Sequence, residues 1–357
     1  ITMQTLFFFI SLLSVFAAAT DNEKRTTRKP TTRKPTIRRP TTRKPTKRAN
    51  KCLSTASNAH KVVACDYIGI SDLEQCFHAN QVSISRSSSQ IPTQIGLLKN
   101  LQSLIISSST GTIPSFIGCL SKLTALSLTY TQLTGTIPSS LGSLKELQFL
   151  WLFYNKKLTG TIPSSLGLLT KLKELNLFSN KLIGTIPSTL QSLTNLITLD
   201  MQNNQLNGTI PLFMGSLSKL TYLSLYFNQF TGTIPSSLES LTNLSYFLLY
   251  HNQLTGPIPP SLGSLTNLIY LTLYSNQLTG TIPSSLGTLT KLTHLDLNDN
   301  QLIGTIPSSL GSLTRLFVFY LSNNQLTGSM PSSFCSMPLL RPDVDCNEVK
   351  CNCCGCP

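Results

Sequence analysis

The chain has 357 residues, of which 40% are hydrophobic and 12% are charged, and its formal net charge is +14. This length allows one large domain or an array of repeats. The positive charge is local: residues 20–51 contain 13 Lys or Arg and 2 acidic residues, whereas the rest of the chain contains 15 basic and 12 acidic residues. Composition therefore excludes a fold that is basic throughout and assigns the charge to one tail.

An apolar segment near the start has the pattern of a secretory signal. From Met3 the sequence reads MQTLFFFISLLSVFAAAT, in which the apolar core ends at Phe16 and three alanines follow. This core is short for a membrane anchor, and polar, basic sequence follows at once, so the pattern predicts a signal peptide over residues 1–19. No later stretch is apolar for long enough to suggest a membrane span. We therefore expect a secreted, extracellular protein, for which nucleic acid is the least expected partner.

Residues 20–49 form a separate basic segment, in which the motif TTRKP recurs with a period of five between Thr26 and Pro45. A proline in every repeat and almost no apolar side chain predict an extended, disordered tail that packs no core. Two roles stay open: a solvated spacer, O-glycosylated on its threonines, or a cationic anchor to acidic polysaccharide. Lys47 and Arg48 form a dibasic pair at which processing would release the tail.

Ten cysteines occur in two clusters. An even number of cysteines in an exported protein predicts disulfides, two in the first cluster and three in the second. The pairing stays open, since six cysteines alone allow 15 arrangements. A metal site is the alternative for the dense second cluster, but an oxidising compartment favours disulfides, and we expect no metal or other cofactor. The clusters are Cys52, Cys65, Cys76 and Cys119, then Cys335, Cys346, Cys351, Cys353, Cys354 and Cys356.

Most of the chain, residues 90–331, consists of repeats. A Gly-x-(Ile/Met)-Pro motif recurs ten times between Gly111 and Gly328 with a spacing of 24 residues, except for one interval of 25 after Gly135. A degenerate copy with Ile91 and Pro92 precedes them. One copy reads LxxLxLxxNxLTGTIPSSLGSLTN, which has the period and pattern of a leucine-rich repeat.

The LTGxIPxxLGxL half of the repeat resembles the plant-type leucine-rich repeats of receptor-kinase ectodomains and polygalacturonase-inhibiting proteins. The resemblance implies an α/β solenoid that is curved, with a parallel β-sheet on its concave face. It also implies capped ends, which we place at residues 50–89 and 332–357 and expect to be closed by disulfides. The predicted N-terminal cap lacks the Cys-x-Trp pair of the plant type, because the only tryptophan is Trp151. The sequence carries no kinase signature.

The repeat pattern also predicts which side chains form the core. In LxLxx, alternate residues point to opposite faces, so Leu271 and Leu273 point inward while Tyr270, Thr272 and Tyr274 point outward. One repeat cannot bury its own leucines, whereas stacked repeats bury them in a continuous core. Asparagines at the end of each strand are expected to bond to the backbone as an internal ladder: Asn180, Asn204, Asn228, Asn252, Asn276 and Asn300.

Four outward positions recur in each repeat and are expected to form four rows along the sheet. The first row is Ala125, Phe149, Glu174, Thr198, Tyr222, Tyr246, Tyr270, His294 and Val318. The second row is Ser127, Trp151, Asn176, Asp200, Ser224, Leu248, Thr272, Asp296 and Tyr320. The third row is Thr129, Phe153, Phe178, Gln202, Tyr226, Tyr250, Tyr274, Asn298 and Ser322. The fourth row is Tyr130, Tyr154, Ser179, Asn203, Phe227, His251, Ser275, Asp299 and Asn323.

Two aromatic patches on these rows predict a binding surface. Leucines fill the core, so exposed rings have no packing role there, and exposed aromatic patches usually mark interaction sites. The alternative is the general preference of aromatic residues for strands. We expect a monomeric, non-catalytic protein that binds a protein or a polysaccharide through these rings. The expected contact residues are Tyr222, Tyr246, Tyr270, Tyr226, Tyr250, Tyr274, Phe227 and His251 in one patch, and Trp151, Phe153, Tyr154 and Phe178 in the other.

A second outward surface suggests a different function. Thr279 and Thr281 point outward between buried apolar positions, and the pair recurs as a threonine grid that resembles ice-binding solenoids. A glycosylation sequon at Asn207 would place a glycan on this grid, and a second sequon lies at Asn243. The grid is interrupted at Ile183, Asn207, Pro257, Ile303 and Ser329.

Two further functions complete the alternatives. A matrix or cell-wall structural protein anchored by the basic tail is compatible with the sequence. An enzyme is not expected, because no GxSxG, HExxH or phosphate-loop motif occurs. The four histidines are scattered: His60, His78, His251 and His294.

Overall fold

The computed structural model describes residues 78–84, 89–336, 341–345 and 349–350. All of them belong to one unit, Ala49–Pro357. The predicted signal peptide, the basic tail with its dibasic pair and much of both predicted caps therefore lie outside the described residues. The same holds for the side chains of nine cysteines. The tenth, Cys119, is disulfide-bonded, as predicted for its cluster.

One strand of each repeat joins a single parallel sheet, which we call sheet A. Its strands pair in chain order, and equivalent residues of successive repeats lie opposite one another, for example Leu223, Phe247 and Leu271. The predicted parallel stacking of repeats is therefore confirmed. The twelve strands are Gln81–Ile84, Ser103–Ser107, Ala125–Thr129, Phe149–Trp151, Glu174–Asn176, Thr198–Asp200, Tyr222–Ser224, Tyr246–Leu248, Tyr270–Thr272, His294–Asp296, Val318–Tyr320 and Arg341–Asp343.

A second strand in each repeat, after the ladder asparagine, forms further parallel sheets. Eight strands form sheet B: Thr110–Thr112, Gln132–Thr136, Lys157–Gly160, Lys181–Gly184, Gln205–Thr209, Gln229–Gly232, Gln253–Pro257 and Gln277–Thr279. Three strands form sheet C: Ile303–Thr305, Gln325–Ser329 and Val349–Lys350.

Each repeat is completed by a five-residue 3₁₀ helix rather than an α-helix. The proline of the GxIP motif precedes the helix, as at Pro138 with φ −72° and ψ 135°, and its carbonyl accepts the N–H of Leu141 at 3.1 Å. Proline suits this position because its fixed φ matches the entry to a helix. The helices are Thr93–Leu97, Ser115–Cys119, Ser139–Ser143, Ser164–Leu168, Ser188–Ser192, Leu212–Ser216, Ser236–Ser240, Pro260–Ser264, Ser284–Thr288, Ser308–Ser312 and Ser332–Ser336.

Leucines and isoleucines at the repeated apolar positions form one continuous core, as the sequence predicts. Leu271, Leu273 and Leu278 of a single repeat are all fully buried in it. Burying one such side chain stabilises the fold by about 1.5–3 kcal/mol, and most of this burial requires the neighbouring repeats. Gly263 permits close stacking, because a Cβ atom there would collide with the carbonyl of Ser285 in the next repeat.

The predicted asparagine ladder is present and ties each repeat to the one before it. The Nδ2 of Asn252 donates to the carbonyls of Leu225 and Leu249 at 3.1 and 2.9 Å, and its Oδ1 accepts the N–H of Phe230 at 3.1 Å. These bonds satisfy buried backbone groups at the point where the strand turns. The ladder comprises Asn180, Asn204, Asn228, Asn252, Asn276 and Asn300, and it extends to Asn155 and Asn324.

Residues from both predicted caps extend sheet A. Gln81–Ile84 adds a strand before the first repeat, and Arg341–Asp343 adds one after the last. Beyond the last asparagine of the ladder, the carboxylate of Asp345 accepts the N–H groups of Asn323 and Asn324 at 3.0 and 3.1 Å. In the preceding repeat the equivalent N–H groups of Asp299 and Asn300 donate to backbone carbonyls of the next repeat. Asp345 therefore takes the place of those carbonyls and satisfies the backbone at the end of the array.

Candidate ligand-binding face

Sheet A holds the predicted rows in register. Tyr222 lies opposite Tyr246, Tyr246 opposite Tyr270, and Tyr270 opposite His294. Because neighbouring strands are about 4.8 Å apart, side chains of one row lie within contact distance of each other. The rings of a row therefore stack along the sheet.

The first row contains a half-buried stack of rings. The centroids are 5.6 Å apart for Tyr222 and Tyr246, 4.9 Å for Tyr246 and Tyr270, and 3.9 Å for Tyr270 and His294. Phe317, an exposed ring beside the row, meets His294 edge-on at 4.3 Å and extends the stack. The sequence analysis missed Phe317 because it precedes the first-row position of its repeat.

The third row is buried from Thr129 to Tyr250, so the prediction that Tyr226 and Tyr250 are exposed is wrong. Tyr226 and Tyr250 are each 3% exposed, and Tyr274 is half-buried. Their rings stack face to face, with centroids 4.1 and 4.4 Å apart. The physical reason is the strand spacing, because flat rings on adjacent strands cover each other's faces. Tyr226 and Tyr250 therefore support the face from within and offer little ring surface to a ligand.

The same correction applies to the other aromatic patch. Trp151, Phe153 and Phe178 are all buried. Phe153 and Phe178 stack at 4.6 Å, and the indole N–H of Trp151 donates to the carboxylate of Glu174 at 3.0 Å. These three side chains form a covered layer on the sheet rather than an exposed contact surface.

The two most exposed aromatic rings of the four rows, Tyr130 and Phe227, both lie in the fourth row. Phe227 is 40% exposed and stacks on the partly exposed His251 at 4.2 Å, while Tyr130 is 52% exposed and stacks on the partly exposed Tyr154 at 4.8 Å. Every residue of this row has a left-handed backbone, with φ between 50° and 56°. That conformation costs a side chain with a Cβ atom about 1–2 kcal/mol, and asparagine, present at Asn203, tolerates it best. The row has no glycine, and the sequence analysis missed this strain.

The face carries one buried carboxyl group, Asp200, and the half-buried Glu174 and Asp296, and none of the three has a basic partner among the described residues. The four rows contain Glu174, Asp200, Asp296 and Asp299 but no lysine or arginine. Burial raises the pKa of Asp200 to about 7, although hydrogen bonds from Gln202 oppose the rise. Burial also raises the pKa of Asp296 to about 7 and raises that of Glu174. Within the described ranges none of these three carboxyls forms an ion pair, although buried charges usually have partners.

The two histidines of the face are neutral at neutral pH. Burial lowers the pKa of His294 to about 4. Burial also lowers the pKa of His251, while the charge of Asp299 acts in the opposite direction. The described side chains of the four rows therefore provide no cation at neutral pH.

The threonine surface on sheets B and C is exposed, and its equivalent threonines do not lie directly opposite one another. The second threonine of the pair is exposed in every repeat that has it, and the interrupting Ile183 and Ile303 are exposed as well. In the pairing of the first two strands of sheet B, Thr112 lies opposite Thr134. The second threonine of one repeat therefore lies beside the first threonine of the next. Equivalent threonines are therefore displaced diagonally because the strands pair with a two-residue offset.

Both sequon asparagines are exposed. Asn207 lies in the strand Gln205–Thr209, on the threonine surface. Asn243 follows the helix Ser236–Ser240, where its Nδ2 donates to the carbonyl of Ser218 at 2.9 Å. Glycosylation at either residue stays a prediction.

The sequence matches known repeat families over most of this region. Residues 60–182 match a leucine-rich repeat region, residues 266–312 match a pair of leucine-rich repeats, and residues 195–217, 219–241, 243–265 and 315–337 match the single leucine-rich repeat. A Leptospira interrogans LRR protein of known structure is 31% identical with a TM-score of 0.56, and the match covers 74% of this chain and 70% of that chain. The chain belongs to the leucine-rich-repeat family.

Other leucine-rich-repeat structures confirm the predicted plant-type resemblance. The plant peptide hormone receptor RGFR1 in complex with RGF2 is 33% identical with a TM-score of 0.68, and the match covers 76% of this chain and 48% of that chain. The chain thus spans about half the length of this receptor. A plant ice-binding protein is 28% identical with a TM-score of 0.53, and the match covers 74% of this chain and 80% of that chain. No curated protein matches the sequence.

Leucine-rich-repeat proteins and receptor ectodomains are typically non-catalytic binding proteins, and the chain shares their architecture of stacked parallel sheets. In the described ranges, no helix has the length and apolar character that crossing a bilayer requires. Architecture alone does not name a ligand, so the choice of function depends on the faces described above.

Proposed function

We propose that this leucine-rich-repeat protein is an exported, non-catalytic protein that binds an extended ligand, either a protein segment or a polysaccharide, across the rows of sheet A. The fourth row carries the proposal, because Phe227 with His251 and Tyr130 with Tyr154 form two stacked pairs that reach solvent from strained backbone positions. Such rings cost stability and do not fill the core. Binding is the role that accounts for them.

The first and fourth rows supply the contact surface, and the third row supports it. Tyr222 and Tyr246 are half-buried on one side, Phe227 and His251 are partly exposed on the other, and Tyr226 is buried between the two. A ligand that runs across the strands would meet a new repeat about every 4.8 Å. Rings already held by stacking lose little conformational entropy on binding. The plant receptor in complex with RGF2 supports the proposal, since it has the same architecture and holds a partner.

The test is binding of the full chain to arrays of secreted proteins, peptides and glycans. The variant Phe227→Asn with His251→Asn replaces two rings by the residue that already occupies the equivalent position at Asn203, so the fold should be retained. Leu212→Asn, which removes a 73% exposed apolar side chain from a 3₁₀ helix, is the control. We expect the ring variant to lose about tenfold or more in affinity and the control to bind like the wild type. Equal binding by all three proteins would refute the proposal.

Ice binding through the threonine surface is a second candidate function. Two observations favour it: the match to the plant ice-binding protein covers 80% of that chain, and the second-position threonines are exposed throughout. The interruptions and the diagonal register count against it. Inhibition of ice recrystallisation that is lost in Thr233→Lys with Thr281→Lys, but retained in Phe227→Asn, would establish this function. A wild-type protein without inhibition would exclude it.

A further inference from the structure

The charge distribution of the chain points to the chemical class of the ligand. The chain has 28 Lys and Arg, yet none lies in the four rows, which instead hold four acidic residues: Glu174, Asp200, Asp296 and Asp299. A surface of rings and carboxyls attracts cations both through the ring faces and through charge. The proposed binding face therefore favours a cationic ligand over an anionic one.

Polar side-chain atoms without hydrogen-bond partners lie beside Asp296. The Oδ1 of Asp296 accepts the N–H of Asn298 at 3.3 Å, and the Nδ2 of Asn298 donates to Asp299 at 3.1 Å. Two further atoms are buried and have no hydrogen-bond partner within the described part of the chain: the side-chain oxygen of Asn298 and the hydroxyl oxygen of Thr272. Thr272 lies opposite Asp296 on the neighbouring strand of sheet A. An unpaired buried polar atom costs about 1–3 kcal/mol. The amide oxygen of Asn298 thus lacks a donor and the hydroxyl of Thr272 lacks any partner, and a ligand can supply both.

Aromatic rings flank this acceptor cluster. Tyr270 and His294 stack at 3.9 Å in the first row, on the same strands as Thr272 and Asp296. Tyr270 is also stacked on Tyr246 at 4.9 Å, so its faces are already covered by neighbouring rings. The rings therefore border the cluster, and recognition of a cation there depends on the polar atoms.

We propose that sheet A binds an extended basic polypeptide segment and that an arginine side chain of this segment occupies the cluster at Asp296. A guanidinium has five N–H donors and no acceptor, which suits the carboxylate of Asp296, the amide oxygen of Asn298 and the hydroxyl of Thr272. These donors form a rigid fork that can reach several acceptors at once, whereas a lysine ammonium is a compact point charge. The inference rests on the proposed function and narrows its ligand class from an extended ligand to a basic peptide.

The test uses the full chain and an array of decapeptides, each printed once with arginine and once with citrulline, which keeps the shape of arginine without its charge. Asp296→Asn removes the carboxylate with almost no change of volume. Glu239→Gln removes one negative charge from an exposed position in a 3₁₀ helix and is the matched control. We expect citrulline to weaken binding about tenfold or more, Asp296→Asn to weaken binding of the arginine peptides by a similar factor, and Glu239→Gln to bind like the wild type.

The outcomes separate this inference from the proposed function, which Phe227→Asn tests on the same array. If Phe227→Asn loses binding while citrulline peptides bind as well as arginine peptides, the inference is overturned and the proposed function stands. The same conclusion follows if Asp296→Asn binds like the wild type. Equal weakening by Asp296→Asn and Glu239→Gln would indicate general electrostatic attraction and would also overturn the assignment. If the protein binds glycans but no peptide, the inference is overturned. If Phe227→Asn binds its ligands as tightly as the wild type does, the result counts against the proposed function itself.

Discussion

Asp200 is a buried carboxyl without a basic partner among the described residues, and it should make the stability of this fold depend on pH. Its side chain is 1% exposed, and burial raises its pKa from 3.8 to about 7. The folded state therefore binds the proton more tightly than the unfolded state. Binding of this proton stabilises the folded state, and its contribution to the free energy of unfolding is greatest below about pH 4. The contribution is lost as the pH rises through about 7. A shift of about three pKa units corresponds to about 4 kcal/mol of free energy of unfolding lost between these limits.

Replacing Asp200 by Asn removes this titration and keeps the shape of the side chain. The amide oxygen can still accept the N–H of Gln202, which lies 3.2 Å from the carboxylate. We expect Asp200→Asn to exceed the wild type in free energy of unfolding by up to about 4 kcal/mol at pH 8 and to differ little at pH 4. Urea unfolding followed by circular dichroism at several pH values measures the difference, with Glu239→Gln as the exposed control. A variant that is less stable at pH 8, or a difference independent of pH, would refute the reasoning.

Three further substitutions test the ladder, the core and the face. Asn252→Ala leaves the N–H of the buried Phe230 without its side-chain acceptor and removes one of the two donors to the carbonyls of Leu225 and Leu249. We therefore expect a loss of about 2–4 kcal/mol in urea unfolding, against less than about 0.5 kcal/mol for the exposed neighbour Gln253→Ala. Leu271→Ala opens a cavity in the middle of the core and should cost about 2–5 kcal/mol in the same assay. Phe227→Asn relieves a left-handed ring position and should raise stability by about 1 kcal/mol while ligand binding falls. A lower melting temperature for this variant would show that the ring is structural.

The fold could be predicted because the same apolar positions and the same asparagine recur in each repeat. Leu271 and Leu273 alternate with polar or aromatic neighbours, which fixes a strand, and Asn276 marks its end. Repetition at a constant spacing then requires equivalent residues to lie side by side, as Leu223, Phe247 and Leu271 do in sheet A. Direction of side chains, identity of the core and the asparagine ladder all follow from period and alternation alone.

The exposure and backbone conformation of the residues on the face could not be predicted in the same way. Alternation shows that Tyr226 and Tyr250 point away from the core, but their burial depends on how rings of neighbouring strands cover each other. The left-handed backbone of Phe227 follows from the sharp turn before the ladder asparagine. The fourth row has no glycine and signals this conformation only weakly, through Asn203, His251, Asp299 and Asn323. The diagonal register of Thr112 and Thr134 depends on the relative offset of adjacent strands, which a single repeat does not encode.

Differences between repeats, rather than the repeats themselves, give sheet A the capacity for specific recognition. A face built from identical repeats would present the same side chains about every 4.8 Å, and an extended ligand would then bind equally well after a shift of one strand. The first-row rings run from Tyr222 to His294, with Asp200 in the repeat before Tyr222 and Asp296 in the repeat of His294. A ligand with one arginine can satisfy the acceptors at Asp296 in a single register only. Loss of this carboxylate should therefore reduce the discrimination between registers as well as the affinity, and a ligand bound to Asp296→Asn should occupy several positions along the rings.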